Sequence, residues 1–346
     1  MKFVGQITDA QENCGMKIVI DAMGGDNAPQ EIIKGTLSAL GERDGFSVIF
    51  TGDEALVNKE LSACSFDKSR VEVRHASEVI TNDEAPATAV RAKRDSSLVV
   101  GLKTLKEDGD AFISAGSTGA VLTGGIMYIG RIPGVQRPAL CPAIPNVRGG
   151  VTLLCDAGAN ADCKPSYLAQ FAVMATAYGK AVFNMDNPKV GLLSNGTEDH
   201  KGDMMHQEAF ALLKETEGVN FVGNVEGRDL MFGDCDVVAA DGFSGNVALK
   251  SAEGCGRTIA SVLKTEFTKA KLRYLVARKQ ISKVKDFLDY NRLGGAIFLG
   301  LKKTVIKAHG SSKANSVKAA VLQAVDAVAG RTVERIIETL PESVGE

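Results

Sequence analysis

Short apolar runs rich in β-branched residues alternate along the chain with segments whose apolar residues recur at three- and four-residue steps. The short runs predict strands, and most lack polar alternation, as in parallel strands buried on both faces. The intervening segments, such as 30–40 and 167–178, predict amphipathic helices. The predicted strands are 18–20, 48–50, 71–73, 111–114, 151–154, 190–193, 220–222 and 237–240.

This strand–helix alternation predicts an α/β fold with a mainly parallel, doubly wound sheet. The 346 residues contain neither an internal repeat nor a low-complexity linker, so we expect a single α/β unit over 16–340. Residues 1–15 lack the basic start and apolar core of a signal peptide. We expect them to be an extension, either disordered or an artefact of the start site.

Residues 254–292 break the alternation, because they have apolar residues at helical spacing but no strand pattern. Basic side chains surround these positions, and Glu266 is the only acid from Arg257 to Lys285. The pattern predicts a protruding basic helical hairpin, with a solvated face on an ordinary helical layer as the alternative. Its candidate partner or membrane contacts are Lys264, Lys269, Lys271, Arg273, Arg278 and Lys279.

Composition and charge narrow the classes of function. A net charge of −2 and a pI near 6.2 give no general attraction to nucleic acid, so no such partner is expected. No uncharged apolar run is long enough to span a membrane. The seven cysteines lack C-x-x-C pairs and the four histidines lack metal-ligand spacing. We therefore expect reduced thiols of a cytosolic protein, with no metal and no cofactor.

Glycine- and hydroxyl-rich turns follow several predicted strands. In open α/β sheets the carboxyl ends of the strands share one crevice, so the turns together predict a shared anionic ligand, although each alone is explained as a tight connection. No dinucleotide fingerprint or P-loop is present. The candidate substrate-binding residues are Gly24, Gly25, Asp26, Gly116, Ser117, Thr118, Gly119, Asn160, Asp162, Lys164, Asn195, Gly196, Ser244, Gly245, Ser311 and Ser312.

The sequence shows neither a nucleophile elbow nor a recognisable catalytic triad. Catalysis is therefore expected to work by positioning and charge stabilisation of a reactant that needs little activation. Inorganic phosphate fits this requirement, because it is largely a dianion near neutral pH and attacks a thioester directly.

The chain carries, in order, the segments DAMGGDNAP, SAGSTGA, GVQRPAL, LLCDAGANADCKP, VGLLSNGTEDHKG, FVGNVEGRDL, DGFSGNVALKSAEG and HGSSKA. As a set they resemble the phosphate acyltransferase family, the acyl-ACP:phosphate transacylases of bacterial phospholipid synthesis. The resemblance implies a homodimer with a fold similar to phosphotransacetylases and the isocitrate and isopropylmalate dehydrogenases, without their cofactors. It implies transfer of a fatty acyl group from acyl carrier protein (ACP) to inorganic phosphate, giving acyl-phosphate and free ACP.

Three residues are expected to act on the reacting atoms. Lys201 would neutralise the phosphate or the developing oxyanion, and Asn246 would donate a hydrogen bond to that oxyanion. His309 would protonate the departing pantetheine thiolate. Asn246 has an alternative role as the cap of the helix that follows it.

The family also implies a cytoplasmic protein at the inner face of the membrane, whose acyl-phosphate feeds a membrane glycerol-3-phosphate acyltransferase. The basic hairpin then has two candidate partners, acidic ACP and anionic lipid. Other functions stay open: transfer of a short acyl group from coenzyme A to phosphate, a dehydrogenase that the missing fingerprint disfavours, and a non-enzymatic scaffold at the membrane surface.

Overall fold

The computed structural model describes residues 15–268, 282, 284, 287 and 293–340. All eight predicted strands are present, and so are the helices predicted at 30–40 and 167–178. The strands are β1 (Met16–Asp21), β2 (Phe46–Gly52), β3 (Val71–His75), β4 (Ala111–Ser114), β5 (Ala139–Cys141), β6 (Ala143–Pro145), β7 (Val151–Cys155), β8 (Lys189–Ser194), β9 (Asn220–Glu226), β10 (Val237–Ala239), β11 (Ala296–Leu299) and β12 (Thr304–Lys307). The helices are α1 (Gln30–Glu42), α2 (Glu54–Ser62), α3 (Pro86–Ala92), α4 (Ser97–Asp108), α5 (Thr118–Gly124), α6 (Pro165–Val182), α7 (Met204–Glu215), α8 (Gly242–Thr268), α9 (Ala314–Ala329) and α10 (Thr332–Thr339).

The strands form two sheets instead of the one expected. A seven-stranded sheet has the order β3-β2-β1-β4-β12-β11-β5, and a five-stranded sheet has the order β6-β7-β10-β8-β9. Pairing is parallel except where β11 meets β12 and β5, and where β6 meets β7. The chain crosses from the first sheet to the second through Pro142, between β5 and β6, and returns at β11. The predicted α/β class with mainly parallel pairing is confirmed.

Burial explains why these segments form these elements. The central strands β1 and β4 are buried along nearly their whole length, which suits their continuous apolar sequence. Helix α6 is apolar on almost all sides and lies inside the core, where Phe171 and Tyr178 are fully buried. In α1, a Cβ on Gly35 would lie 2.6 Å from the Val317 Cβ of α9, so glycine permits the close packing of these helices.

The segment predicted as a hairpin belongs in part to α8. This helix begins at Gly242, not near 254, and continues to Thr268. Ile259 and Val262 on it are 48% and 56% exposed, and Lys264 is also exposed. Of the remainder, Ser282, Val284 and Phe287 are helical. The predicted contacts Lys269, Lys271, Arg273, Arg278 and Lys279 lie outside the described residues, so the hairpin stays a prediction.

Candidate active site

A cavity of about 220 Å³ lies between the two sheets. Its polar lining includes Thr118 at the start of α5, Asn246 on α8, and Lys307 and His309 at the end of β12. Its apolar lining includes Leu140, Pro142, Ala143, Leu249 and Leu293. Both sheets contribute to the lining, so the site is complete only when the sheets are packed together.

The turns after β1, β4 and β12 meet beside this cavity, because these strands are neighbours in the seven-stranded sheet. The Asp26 N–H donates to the Gly310 carbonyl at 2.8 Å. Gly25 has a φ of +96°, and a Cβ there would lie 2.8 Å from the Ala115 Cβ. Only glycine fits this position, because both its backbone conformation and its neighbours exclude a side chain.

A buried carboxyl group holds the first two of these turns together. Asp21 is 2% exposed and accepts from the Ser114 hydroxyl at 2.6 Å, and the same hydroxyl oxygen accepts from the Gly116 N–H at 3.0 Å. Burial raises the pKa of Asp21, although its hydrogen bonds from the Ser114 hydroxyl and from backbone N–H groups such as that of Met23 oppose the shift. A Cβ on Gly24 would lie 2.8 Å from the Gly116 nitrogen. Gly24 and Gly116 therefore let the turns close up, and the Gly116 N–H is engaged within the protein.

The sequence patterns did not predict Lys307, the last residue of β12. Lys307 is 9% exposed, and its Nζ donates to the Ala115 carbonyl at 3.4 Å and to the carbonyl of the next residue. Burial, together with the charge of Lys250, lowers the pKa of Lys307 to about 8, although Asp21 and Asp26 act in the opposite direction. The only signal for it in the sequence is a lysine directly between an apolar strand and the HGSS turn.

His309 lines the same cavity with its ring held in place. Its Nδ1 accepts from the Ser311 N–H at 3.2 Å and lies 2.9 Å from the Ser311 hydroxyl, so the neutral ring carries its proton on Nε2. Burial lowers the pKa of His309, and the charge of Lys250 acts in the same direction. This state favours hydrogen bonding through Nε2–H over the predicted protonation of a thiolate. Asn27 fixes the turn by donating to the carbonyls of Ser311 and Ser312, at 3.2 Å each.

The start of α8 positions Asn246. Asp241 caps the helix, since its Oδ1 accepts from the Ser244 N–H at 2.9 Å, and the alternative role of Asn246 as the cap is wrong. Asn246 lies one turn further along and lines the cavity. Gly158, in the loop after β7, has a φ of +132°, and a Cβ there would lie 3.0 Å from the Asn246 Nδ2. Glycine at this position therefore leaves room for the Asn246 amide.

A second buried carboxyl group, Asp156, organises the loop after β7. It accepts from the N–H groups of Gly158 and Asn160 at 3.1 and 2.7 Å, and from the Asn160 Nδ2 at 2.9 Å. Burial raises the pKa of Asp156 against these hydrogen bonds. The Asn160 Nδ2 also donates to the Pro138 carbonyl, and the Asn160 carbonyl accepts from the Gly242 N–H, both at 2.8 Å. Asn160 thus joins this loop to α8, and its amide donors are engaged within the protein.

Asn195 and Ser244 line a different cavity, of about 370 Å³, together with Asp203 and His206. The His206 Nδ1 lies 2.7 Å from Asp203, and its Nε2 lies 3.3 Å from Asp241. The hydrogen bond to Asp241 raises the pKa of His206, although burial opposes this. Burial raises the pKa of Asp241, but hydrogen bonds from His206 and Ser244 outweigh it and bring the pKa to about 2. This charge pairing ties the start of α7 to the start of α8.

Lys201 lines neither of these two cavities. Its side chain packs over Gly196, where a Cβ would lie 2.8 Å from the Lys201 Cγ. The turn is closed by Asn195, whose Oδ1 accepts from the Gly202 N–H at 3.0 Å. Lys201 follows β8 of the five-stranded sheet, and its loop contributes Asn195 and Gly202 to the lining of the second cavity but no residue to the lining of the first.

The structure therefore brings together some of the predicted site residues and separates others. Thr118, Asn246 and His309 line the cavity between the sheets. Other predicted residues lie in the turns that carry or adjoin these three: Gly24, Gly25, Asp26, Gly116, Ser117, Gly119, Gly245, Ser311 and Ser312. A separate group lies around or next to the second cavity: Lys201, Asn195, Gly196 and Ser244. Asp162 and Lys164 are exposed in the loop before α6.

The parts of the chain that the structure describes contain no group of three or more His, Cys, Asp or Glu side chains placed to hold a metal ion. Within those same parts, no helix has the length and apolar character needed to cross a membrane. The described cysteines, from Cys64 to Cys255, form no disulfide.

Comparison with solved structures identifies the architecture. A phosphotransacetylase from Streptococcus pyogenes superposes with a TM-score of 0.64 at 17% identity, over 93% of this chain and 96% of that chain. A 4-hydroxythreonine-4-phosphate dehydrogenase, described as putative, from Salmonella typhimurium superposes with a TM-score of 0.50 at 13% identity, over 90% of this chain and 99% of that chain. At such low identity these matches concern the fold alone. They confirm the predicted likeness to phosphotransacetylases and to a dehydrogenase fold.

Comparison of sequences identifies the family. The model of the family described as "Fatty acid synthesis protein" matches residues 16–335. A phosphate acyltransferase of Clostridioides difficile is 46% identical over 325 residues, which are 93% of this chain and 95% of the relative. A phosphate acyltransferase of Halothermothrix orenii is 48% identical over 318 residues, which are 90% of this chain and 95% of the relative. With a family model and close relatives that all match along most of its length, the chain belongs to the phosphate acyltransferase family.

Proposed function

We propose that the enzyme transfers a fatty acyl group from an acyl-ACP thioester to inorganic phosphate, giving acyl-phosphate and free ACP. The cavity between the two sheets supports this reaction. Its polar lining, with Thr118, Asn246 and His309, suits a small anion, and its apolar lining, with Leu140 and Leu249, suits the start of an acyl chain. Membership of the phosphate acyltransferase family supports the same chemistry.

The proposed mechanism depends on positioning, because the phosphate dianion is already a nucleophile. A phosphate oxygen attacks the thioester carbonyl carbon, so that a C–O bond forms and the C–S bond breaks. The electron pair of that bond leaves with the sulfur, and the thiolate takes up a proton as it becomes the free thiol. The Thr118 hydroxyl and the His309 Nε2–H bind phosphate oxygens, and the Asn246 amide donates to the carbonyl oxygen as charge develops on it.

The reaction is tested by measuring thiol release from acyl-ACP with and without phosphate, and by trapping acyl-phosphate with hydroxylamine. We expect release to require phosphate, and Asn246→Ala to lower kcat by about 10²–10³. Asn220→Ala, at the start of β9 and outside the cavity lining, is the matched control. Thiol release at the same rate with and without phosphate would refute the reaction. Normal turnover by Asn246→Ala would show that Asn246 has no catalytic role.

The role of Lys201 as the charge-neutralising residue is tested in the same assay. Lys201 packs over Gly196 and lies outside the cavity lining. Lys201→Ala is therefore expected to lower kcat less than Asn246→Ala does. An equal loss would show that the loop at 195–202 reaches the reacting atoms during turnover.

A second candidate is transfer of a short acyl group from coenzyme A to phosphate, which the structural likeness to a phosphotransacetylase supports. The ratio of kcat/KM for a long-chain acyl-ACP and for acetyl-CoA separates the two reactions. We expect acyl-ACP to be preferred. A preference for acetyl-CoA would replace the first proposal with the second.

The proposed setting is a cytoplasmic homodimer at the inner face of the membrane, where acyl-phosphate passes to a glycerol-3-phosphate acyltransferase for phospholipid synthesis. The exposed Ile259, Val262 and Lys264 of α8 support contact with ACP or anionic lipid. Replacing Lys269, Lys271, Arg273 and Arg278 together with Glu should weaken binding to ACP or to anionic liposomes. Unchanged binding to both indicates an ordinary solvated surface, and lipid binding without phosphate-dependent thiol release indicates a scaffold.

A further inference from the structure

Lys307 is a buried cation that no carboxylate pairs with among the described residues. Its Nζ contacts are the backbone carbonyls of Ala115 and Ala308. Its neighbour in the cavity lining, Lys250, has a side chain that is 55% exposed and pairs with Glu253 at 2.9 Å. The charge of Lys250 is therefore compensated within the protein, whereas that of Lys307 is not.

An uncompensated buried charge is costly, and carbonyl dipoles offset only part of that cost. The charged groups that face Lys307 are Lys250 and Glu253 on α8, Asp21 at the end of β1, Asp26 in the turn after it, and His309 in the next turn. Asp21 is engaged with the Ser114 hydroxyl. An anion that enters the cavity thus finds in Lys307 a cation without a carboxylate partner.

We propose that Lys307 is the residue whose charge binds the phosphate dianion in this cavity, a role that rests on the proposed function. An ammonium group has three N–H donors, and two of them serve the carbonyls of Ala115 and Ala308, which leaves the third for a phosphate oxygen. Thr118 and His309 line the same cavity and supply a hydroxyl and an Nε2–H to the other oxygens.

This arrangement links phosphate binding to proton binding. The pKa of Lys307 is about 8, so the free side chain is about half protonated at that pH. A bound dianion favours the charged ammonium and raises its pKa, so phosphate binding draws in a proton. His309 does not contribute at this pH, because burial lowers its pKa and the ring is already neutral.

The test is calorimetry of inorganic phosphate binding to the full chain near pH 8, in two buffers of different ionisation enthalpy, with no acyl donor present. We expect Lys307→Met to weaken phosphate binding about 10–100-fold, the loss typical of a hydrogen bond to a charged group. We also expect the wild type to take up about half a proton more than Lys307→Met. In turnover, Lys307→Met should raise the KM for phosphate more than it lowers kcat.

Lys303→Met is the matched control. Lys303 lies just before β12, and its Nζ donates to the carbonyls of Leu105 and Gly109 at 2.7 Å each, outside the cavity lining. We expect Lys303→Met to bind phosphate with wild-type affinity and proton uptake. If Lys307→Met does not fold, Lys307→Arg decides the question, because arginine keeps the charge but does not titrate. Phosphate binding by this variant without the extra proton uptake supports the proposal.

Unchanged affinity in Lys307→Met, or unchanged proton uptake in either variant, overturns the proposal, as does a wild-type enzyme that binds no phosphate. The proposed function fails separately. In that case the wild type binds phosphate with the expected proton uptake but releases no thiol from acyl-ACP.

Discussion

Asp241 holds the start of α8 in two ways, and the substitution Asp241→Asn separates them. The carboxylate caps α8 through the N–H groups of Phe243 and Ser244, at 3.0 and 2.9 Å, and it pairs with His206. Asparagine keeps an oxygen for the cap, because Asn and Asp are similarly good caps, but it removes the charge. We therefore expect α8 to start at the same residue in a less stable protein.

The magnitude follows from the pKa of Asp241. Burial raises this pKa, but hydrogen bonds from His206 and Ser244 bring it from 3.8 down to about 2. A depression of this size stabilises the folded state by about 2 kcal/mol at neutral pH. The pair needs little correction for solvent screening, because the His206 and Asp241 side chains are only 13% and 8% exposed.

The sign of the pH dependence is fixed by the direction of each shift. Because the pKa of Asp241 is depressed on folding, its stabilisation is present above the unfolded value and is lost as the pH falls through about 2. The pKa of His206 is raised by its bond to Asp241, so its stabilisation is lost as the pH rises through the folded value. The difference in unfolding free energy between wild type and Asp241→Asn should therefore be largest at pH values above the unfolded pKa of Asp241 and below the folded pKa of His206.

Urea unfolding at a series of pH values, followed by circular dichroism, measures the effect. We expect Asp241→Asn to lose about 2 kcal/mol near pH 6 and to approach the wild type as the pH falls to about 2. Asp203→Asn is the matched control and should lose less, because the Asp203 side chain is 69% exposed. A loss that persists at low pH indicates a broken cap, and equal stability near pH 6 refutes the ion-pair reasoning.

Three further predictions follow from the site. Gly158→Ala places a Cβ 3.0 Å from the Asn246 Nδ2 at a φ of +132°, so kcat should fall towards that of Asn246→Ala in the thiol-release assay; wild-type kcat would contradict the position assigned to Asn246. The charged form of Lys307 has a pKa of about 8, so kcat/KM for phosphate should decrease about tenfold for each pH unit above that value, and a flat profile would count against Lys307. Gln323→Leu removes two hydrogen bonds to the backbone of Gly295 in the cavity lining, at 2.8 and 3.0 Å, and should cost about 2–4 kcal/mol in urea unfolding; unchanged stability would show that these bonds contribute nothing net.

The hydrophobic pattern predicts most clearly the strands that lie in the interior of a sheet. β1 and β4 lie in the interior of a parallel sheet, so each is a continuous apolar stretch. β5, β6, β11 and β12 were not predicted; they have three or four residues, but so do β4 and β10, so their length alone does not explain this. They exist through distant pairing, as between Ile297 of β11 and Cys141 of β5. The division into two sheets has the same non-local origin.

The residues of the candidate site likewise include some that local sequence predicts and others that depend on distant packing. The turns after β1 and β4 are predictable, because glycines such as Gly25 follow directly on the strands. Lys201 follows a strand just as directly, but its loop lines the second cavity, whereas Asn246, which follows another strand of the same sheet, lines the first; no local pattern distinguishes the two. Lys307 was not predicted, because its burial depends on β4 and α8 packing around it. The predicted hairpin begins at 254, but Gly254 lies inside α8, a long helix that tolerates a glycine there.

The single-residue crossing at Pro142 limits how the cleft can open. Adjacent Cα atoms are about 3.8 Å apart, so β5 and β6 cannot separate at this point. The Leu154 N–H donates to the Pro142 carbonyl at 3.2 Å, and the Ala157 N–H donates to the Leu140 carbonyl at 2.9 Å. Any widening of the cleft is therefore smallest at Pro142 and grows with distance from this residue.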